Sequence, residues 1–439
     1  MKCLKFAICA AMCAPVWAQP PSLDRVLEQL TQIQQENQRL SQQVENLRQQ
    51  VLELKAAKAP APADEKLAIV EQRVEDLDQS KVEAAQKFPV RLSGMVLLNS
   101  YYYAGRTAGA ELPLVSVPGA FRRSSGATFR NTQIAFSYSR PNAVWGAEID
   151  GRLQLDFFAG TLNIQNHLAR IRTADIGLNW ASRSLTFAVD KPILSPREPD
   201  SLSQFGIPLL ANSGNLWLWQ PQVRYEERLK FTDSTGLRAR LGVYQTNETL
   251  AVPPAGVALS PSRPALQGRF ELFHETHGGR RIEFAPGFHL SRTLVAGAGV
   301  RSYAVSVDWL VPLAPRVDWT GFAFSGQDLT GLGIAGLHQA FILRQGRPFG
   351  VRGRGGWTEV TLHAAPRVDL NLLAGLQDDF NRDLAADGIA RNLSYAANLR
   401  FRLASNMLLG PEIMQIRTTY RQSGIQLVNR YDLALGYLF

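Results

Sequence analysis

The sequence predicts an all-β transmembrane barrel of about sixteen antiparallel strands, preceded by an N-terminal coiled-coil helix. Three observations carry this expectation. The chain opens on a leader, the next segment repeats apolar residues at steps of three and four, and everything after Phe88 alternates with period two.

The leader, "MKCLKFAICAAMCAPVWAQPP", has two lysines, an apolar run too short to cross a bilayer, and Ala18 before the cut, so residues 1–18 read as a secretory signal. Lipoprotein processing at Cys13 stays open as an alternative, although Met12 suits that cut poorly. Cys3, Cys9 and Cys13 all fall inside the leader. The mature chain is therefore expected to have no disulfide, thiolate ligand or cysteine nucleophile. No later segment approaches the ~18 to 20 apolar residues a transmembrane helix needs. A membrane form must then be a closed barrel.

Residues 19–58 carry the heptad seam: Leu23, Val26, Leu30, Ile33, Asn37, Leu40, Val44, Leu47, Val51 and Leu54. The helix would be roughly 48 Å long. Only the seam is apolar, so the helix is expected to associate with other copies, with Leu30, Ile33, Asn37, Leu40, Val44 and Leu47 at the contact. Asn37 would fix register at some cost in stability. The first half of the seam favours higher oligomers and the second half dimers, which leaves the order open, as it leaves open a single helix docked on its own barrel. Residues 59–87 read as a Pro/Ala linker, with Pro60 and Pro62, followed by a second short helix on Leu67, Val70, Val74 and Leu77.

Residues 88–439 form the predicted barrel. In "NRYDLALGYLF", Tyr431, Leu433, Leu435, Tyr437 and Phe439 share one parity, against Arg430, Asp432, Ala434, Gly436 and Leu438. "VWGAEIDGRLQLDFF" and "NLSYAANLRFRL" alternate in the same way. One face suits lipid and the other water. The last strand is expected to close against the first, "VRLSGMVLLNSYYY", with Tyr437 and Phe439 in an aromatic girdle at the periplasmic rim. Short turns are assigned to "SRPN", "WASRS", "TDSTG", "THGG", "PLAPR", "AAPR" and "LASNM". Long connections are assigned near 104–127, 158–167, 190–215, 247–265, 291–299, 325–355 and 378–392, with a short one at "RQSG". Two stretches resist: "HLARIRTADIGLNW" slips parity at Asp175, and "RRIEFAPGFHL" contains Pro286.

Charge divides the chain. Residues 19–87 hold nine Lys or Arg against twelve Asp or Glu, whereas the barrel region carries an excess of roughly ten basic groups, and its only lysines are Lys191 and Lys230. For an exported chain this points to anionic solutes or lipopolysaccharide rather than nucleic acid. The barrel is wide enough to hold an aqueous lumen. Inward parity places Arg152, Arg170, Arg172, Arg224, Arg238, Arg240, Arg269, Arg400, Arg402 and Arg430 along it, with Glu148, Asp150, Asp156, Glu226, Glu271 and Asp432 on the same face. The guanidinium groups would draw anions in, unless the carboxylates brace them. The third long connection, 191–215, carries Arg197, Glu198 and Asp200 between prolines and is the candidate constriction.

Enzyme and metal readings are weaker, and no cofactor or metal is expected. His274 and His277 of "HETH" point to opposite faces of a strand. A serine hydrolase using His167 or His289 would need groups at one height. "GVRGRGGW", with Arg352 and Arg354, reads as a loop rim rather than a phosphate cradle.

The heptad segment, a barrel of this length, the stretch "RTADIGLNWASRSLTFAVDKP" with "WLWQPQVRYE", and the terminal phenylalanine resemble the DcaP-like porins, trimeric outer-membrane channels of Gram-negative bacteria. The chain is similar, more distantly, to phosphate-selective porins, but its scarcity of lumen lysines departs from them. The resemblance implies a homotrimer with a pore in each subunit, an inward-folded third loop, and passage of dicarboxylate-like anions. It also implies a helix in the periplasm and outer-membrane lipid and lipopolysaccharide around the barrel. Barrels of this class end on phenylalanine, read by the barrel-assembly machinery. Peptidoglycan or a periplasmic protein could meet the coil, and a structural outer-membrane to cell-wall tether with a plugged pore is the alternative function.

Overall fold

The computed structural model describes residues 90–439 except 108–112, 160–166, 205, 249–256, 261, 277 and 334–337, together with Arg39, Gln42, Gln43, Asn46 and Gln49, which are helical. The signal, the seam residues Leu30, Ile33, Asn37, Leu40, Val44 and Leu47, and the linker lie outside the described residues.

The strands are β1 (Val90–Gly105), β2 (Arg122–Thr128), β3 (Gln133–Val144), β4 (Ala147–Ala159), β5 (Leu168–Asn179), β6 (Arg183–Asp190), β7 (Gln220–Lys230), β8 (Thr235–Gln245), β9 (Pro264–Glu275) and β10 (Arg281–Val295). They continue as β11 (Ala298–Ala314), β12 (Val317–Gln327), β13 (Phe341–Arg344), β14 (Arg347–Gly350), β15 (Arg352–Ala365), β16 (Val368–Asp379), β17 (Ile389–Ala404), β18 (Met407–Tyr420) and β19 (Gly424–Leu438). Each barrel strand pairs antiparallel with the next, and β19 pairs with β1 from Met95↔Leu438 to Gly105↔Val428, so the sheet has no free edge. β2 and β3 pair with successive halves of β1 and act as one stave. With β13 and β14 forming a separate hairpin, the barrel has sixteen staves.

Outward positions are apolar and exposed: Tyr431, Leu433, Leu435, Tyr437 and Phe439 on β19 and beyond it, Ile413 on β18, Ile176 on β5, Val305 on β11. A soluble barrel would not leave such a continuous belt facing water, whereas lipid covers it without cost. The inward partners on β19, Arg430, Asp432 and Ala434, are buried. The chain ends as the terminal alternation requires. Phe439 exchanges both main-chain hydrogen bonds with Gly94, at 3.0 and 3.1 Å, and its ring occupies the space a side chain at position 94 would need.

Four local assignments are corrected. "SRPN" is not a turn: β3 runs through it to Val144, and the chain reverses at Trp145 and Gly146, whose φ angles of 48° and 72° make the left-handed pair that suits a two-residue hairpin. The stretch 291–299 is not a long connection either, because Ala296 and Gly297, at φ 48° and 80°, join β10 to β11 directly. "GVRGRGGW" is mostly strand, since β15 starts at Arg352. The connection assigned to 190–215 runs on to Trp219, just before β7.

The two resistant stretches have physical causes. Thr173 pairs with Gln154 and Ile171 with Leu155, leaving Arg172 as the extra residue of a β-bulge. The bulge turns Arg172 and Thr173 inward together, so the lipid-facing parity passes from Ile171 to Ile176. Pro286 pairs with Val307 on β11, while the β9 ladder lapses between Phe284 and Gly287, where a missing N–H does no harm.

Candidate constriction and the charged lumen wall

The connection between β6 and β7, residues 191–219, is the third at the long-loop end and follows the fifth stave, where counting put it. Pro192, Pro196, Pro199 and Pro208 stiffen it, and it folds into the barrel. Its backbone is held from most of the circumference. Ile193 N–H donates to Gln267 on β9 at 2.7 Å, Asp200 N–H to Glu359 on β15 at 2.9 Å, and Gly206 N–H to Asn131 at 3.0 Å. Wall side chains donate to loop carbonyls: Asn99 to Leu202 at 2.8 Å, Asn398 to Asp200 at 2.9 Å, Asn392 to Asn212 at 3.1 Å, and Arg430 to Ser203.

Two of the three candidate loop residues are anchors. Arg197 pairs with Asp308 at 2.7 Å and with Glu283, tying the loop to β11 and β10. Asp200 pairs with Arg400 on β17. Glu198 instead faces Lys191 at 3.5 Å, beside open space.

Apolar packing completes the seat. Leu194, Leu209, Leu210 and Leu216 enter a buried cluster with Tyr103, Tyr244, Phe322, Trp357, Leu373 and Ile416 from the wall. Wall glycines make room: a Cβ at Gly410 would stand 3.0 Å from Leu202, and one at Gly287 3.2 Å from Leu194. The wall signal that sequence reading missed is this one, inward glycines on strands that otherwise carry large residues.

Eight of the ten candidate lumen arginines are ion-paired. Arg170 grips Asp156 with two hydrogen bonds of 2.7 and 2.9 Å, and Arg172 stands 3.7 Å from the same carboxylate, with Trp219 4.5 Å from its guanidinium. Arg224 meets Asp190 at 2.8 Å. Arg238, Arg240, Arg269 and Arg197 interleave with Glu226, Glu271, Asp308 and Glu283 across β7 to β11, and Arg228 and Arg281 join the ladder at Glu226 and Glu283. Arg400 also meets Asp369 at 2.8 Å, and Arg430 meets Asp432 at 2.5 Å and Glu412 at 3.7 Å. Among the described residues Arg152 and Arg402 have no carboxylate within ion-pair distance, and Arg402 lies next to the turn at the end bearing the chain terminus.

Opposite the apolar seat, a cavity of about 390 Å³ remains between the loop and β1 and β3 to β6. Arg152, Gln154, Arg172, Thr173, Lys191 and Glu198 are among its lining, with Asp175, Asp190, Gln133 and Gln204. Cationic, anionic and neutral polar side chains thus face one cavity.

The residues named in the enzyme readings are placed otherwise. His289 is buried between Gln267 and Ser302, each at 3.1 Å, and Ser302 gives its hydroxyl hydrogen to the Asp328 carbonyl at 2.7 Å. That serine is shut off from solvent and occupied as a donor. His274 meets Thr235 at 2.8 Å, and His277 lies outside the described residues.

A second buried cluster, unread in the sequence, locks two long loops together. Arg263 holds Glu248 and stands 3.6 Å from Asp328, while Thr293 and Thr330 donate to Asp328 and Glu248. Burial pushes the Asp328 carboxyl up to about 7, with Arg263 opposing and Glu248 adding to the rise, and burial raises Glu248 as well. The folded pKa lies above the unfolded value of about 3.9. The stability Asp328 contributes is therefore full below that value and is lost as pH rises through about 7. The amides of Thr246 and Asn247, bonded to Arg263 and Gly331 carbonyls, are expected to exchange hydrogen faster at pH 8 than at pH 5.5 after correction for intrinsic rates. Asp328→Asn is expected to flatten the profile, and a steep profile in that variant would disprove the assignment.

No family model matches the chain, and no curated protein matches it. Solved structures do. The outer membrane channel DcaP of Acinetobacter baumannii is 17% identical, with 80% of this chain and 97% of that chain covered at a TM-score of 0.64. The anion-selective porin from Comamonas acidovorans is 11% identical, with 80% and 99% covered and a TM-score of 0.51. OprB of Pseudomonas putida is 8% identical, with 81% and 96% covered and a TM-score of 0.50. At these identities the likeness speaks for the architecture alone, and the chain has the sixteen-stranded DcaP-like porin fold.

Proposed function

We propose that the chain forms a passive diffusion channel of the outer membrane, in which the loop 191–219 sets the constriction and small anionic solutes of the dicarboxylate class pass along the β4 to β6 wall. The observation that carries this reading is the polar cavity left beside an inward loop held from most of the circumference. Arg152 supports the preference for anions, because it faces that cavity without an ion-pair partner among the described residues. The remaining wall charges are largely matched, so the preference is expected to be modest, with an anion-to-cation permeability ratio of roughly a few-fold. The channel is further proposed to be a homotrimer, a stoichiometry that rests on the resemblance to the DcaP-like porins, since the heptad seam speaks only for association.

Single-channel recording of the purified full chain in a planar bilayer under a salt gradient tests this. Stepwise triple openings with an anion-selective reversal potential are expected, and Arg152→Glu is expected to shift that potential toward cation selectivity without changing the folded fraction. Absence of conductance from correctly folded protein would overturn the channel in favour of the cell-wall tether.

A further inference from the structure

The outer surface near the long-loop end carries a charge arrangement that the channel does not use. Arg292 on β10 and Arg301 on β11 are direct cross-strand partners, four pairs from the hairpin at Ala296 and Gly297. Both side chains are exposed and on the outward face, which Leu290 and Leu294 on β10 and Tyr303 and Val305 on β11 share. Like charges directly opposite one another destabilise a sheet. Among the described residues neither arginine has a carboxylate within ion-pair distance, in a barrel whose inner arginines are nearly all matched.

The position of Arg292 adds a direction. Its guanidinium lies over Gly299, in the place a side chain there would fill, and Gly299 is nearer the hairpin than Arg301. The side chain therefore leans toward the long-loop end, away from the middle of the apolar belt, as a long cationic side chain does when it seeks the headgroup layer. Further round the same end, Arg354 and Arg391 share the single carboxylate of Asp378, at 3.1 and 2.9 Å. The outward face at this level is cationic above an apolar wall.

We infer that Arg292 and Arg301 form a binding site for a phosphate group on the headgroup of an outer-leaflet lipid, a phosphorylated glycolipid whose acyl chains lie along Leu290, Tyr303 and Val305. Guanidinium forks bind phosphate oxygens in pairs, and one anion between them removes the repulsion that the bare pair suffers. The apolar residues below the pair favour an amphiphile over a free ion. The inference rests on the outer-membrane reading, since the lipid must lie in the leaflet next to the long loops.

The test titrates detergent-solubilised full chain, wild type and the R292Q/R301Q double variant, with bisphosphorylated lipid A and with lipid A stripped of its phosphates, bound lipid being counted by native mass spectrometry. Wild type is expected to bind the bisphosphorylated form at least about tenfold more tightly, with millimolar inorganic phosphate competing weakly. The double variant should bind the two forms within about twofold of each other while keeping its heat-modifiable migration and its conductance. Equal discrimination by variant and wild type would overturn the site. So would complete competition by inorganic phosphate, or a changed oligomeric state with unchanged lipid binding, which would assign the pair to a subunit contact. Conductance measured on the same samples separates failure of this site from failure of the channel reading.

Discussion

Replacing Arg430 with methionine is expected to lower the stability of the folded barrel by about 3–5 kcal/mol, read as a drop in its urea midpoint in detergent. Arg430 is one of the largest fully buried side chains, and it stands between Asp432 and Glu412 while donating to the Ser203 carbonyl of the inward loop. Methionine keeps most of the volume, so the loss is not chiefly a cavity. Two carboxylates remain in a water-poor pocket with their cation gone, and a loop carbonyl loses its donor. If that account holds, adding Glu412→Gln and Asp432→Asn should recover most of the loss, because the charges that needed Arg430 are gone with it. A single variant with an unchanged midpoint would show that water reaches the pocket and screens the pair.

Arg430 also marks what could be read in advance. Its inward direction followed from alternation alone, because parity tells which face a residue takes. The sixteen staves, the closing of β19 on β1 and the place of the third loop were legible for the same reason. Height is another matter. Whether Arg430 meets Glu412, or Arg269 meets Asp308, depends on the stagger between strands, and one residue of stagger changes every cross-strand partner. Parity therefore left open whether the ten inward arginines attract anions or are braced by carboxylates, and eight of them are matched.

The turns failed for a local reason. "SRPN" has the composition of a turn, but Pro141 can lie within a strand where the ladder is loose, and the register to β4 shifts between Arg140 and Val144. The reversal goes to Trp145 and Gly146 because glycine makes the left-handed second position easy there. Likewise the slip at Asp175 is a bulge centred three residues earlier, at Arg172. The bulge serves the site, since it brings Arg172 and Thr173 to the cavity from adjacent positions.

The inward loop 191–219 can be unseated by a single methyl group. Gly214 holds φ at 93°, and a Cβ there would collide with the backbone N and O of Gly356 and the carbonyl of Leu376, so neither side has a flexible group that could yield. Gly375 is approached as closely from the loop, by the Ser213 carbonyl, which makes this a seam of backbone against backbone. Gly214→Ala is expected to cost the seated loop about 1–3 kcal/mol in dihedral strain alone, with the collision added, which multiplies the unseated population roughly tenfold to a hundredfold. The staves keep every ladder hydrogen bond, so the variant should still fold and migrate as a barrel. Its single-channel records should show frequent excursions to a larger conductance and a weaker dependence on Arg152. Gly146→Ala is the control: Gly146 has a comparable φ of 72° but nothing within reach of an added Cβ. It should lose about 1 kcal/mol of stability without any change in the conductance record. If the two variants behave alike, the loop does not govern the passage, and the constriction must be sought elsewhere along the lumen.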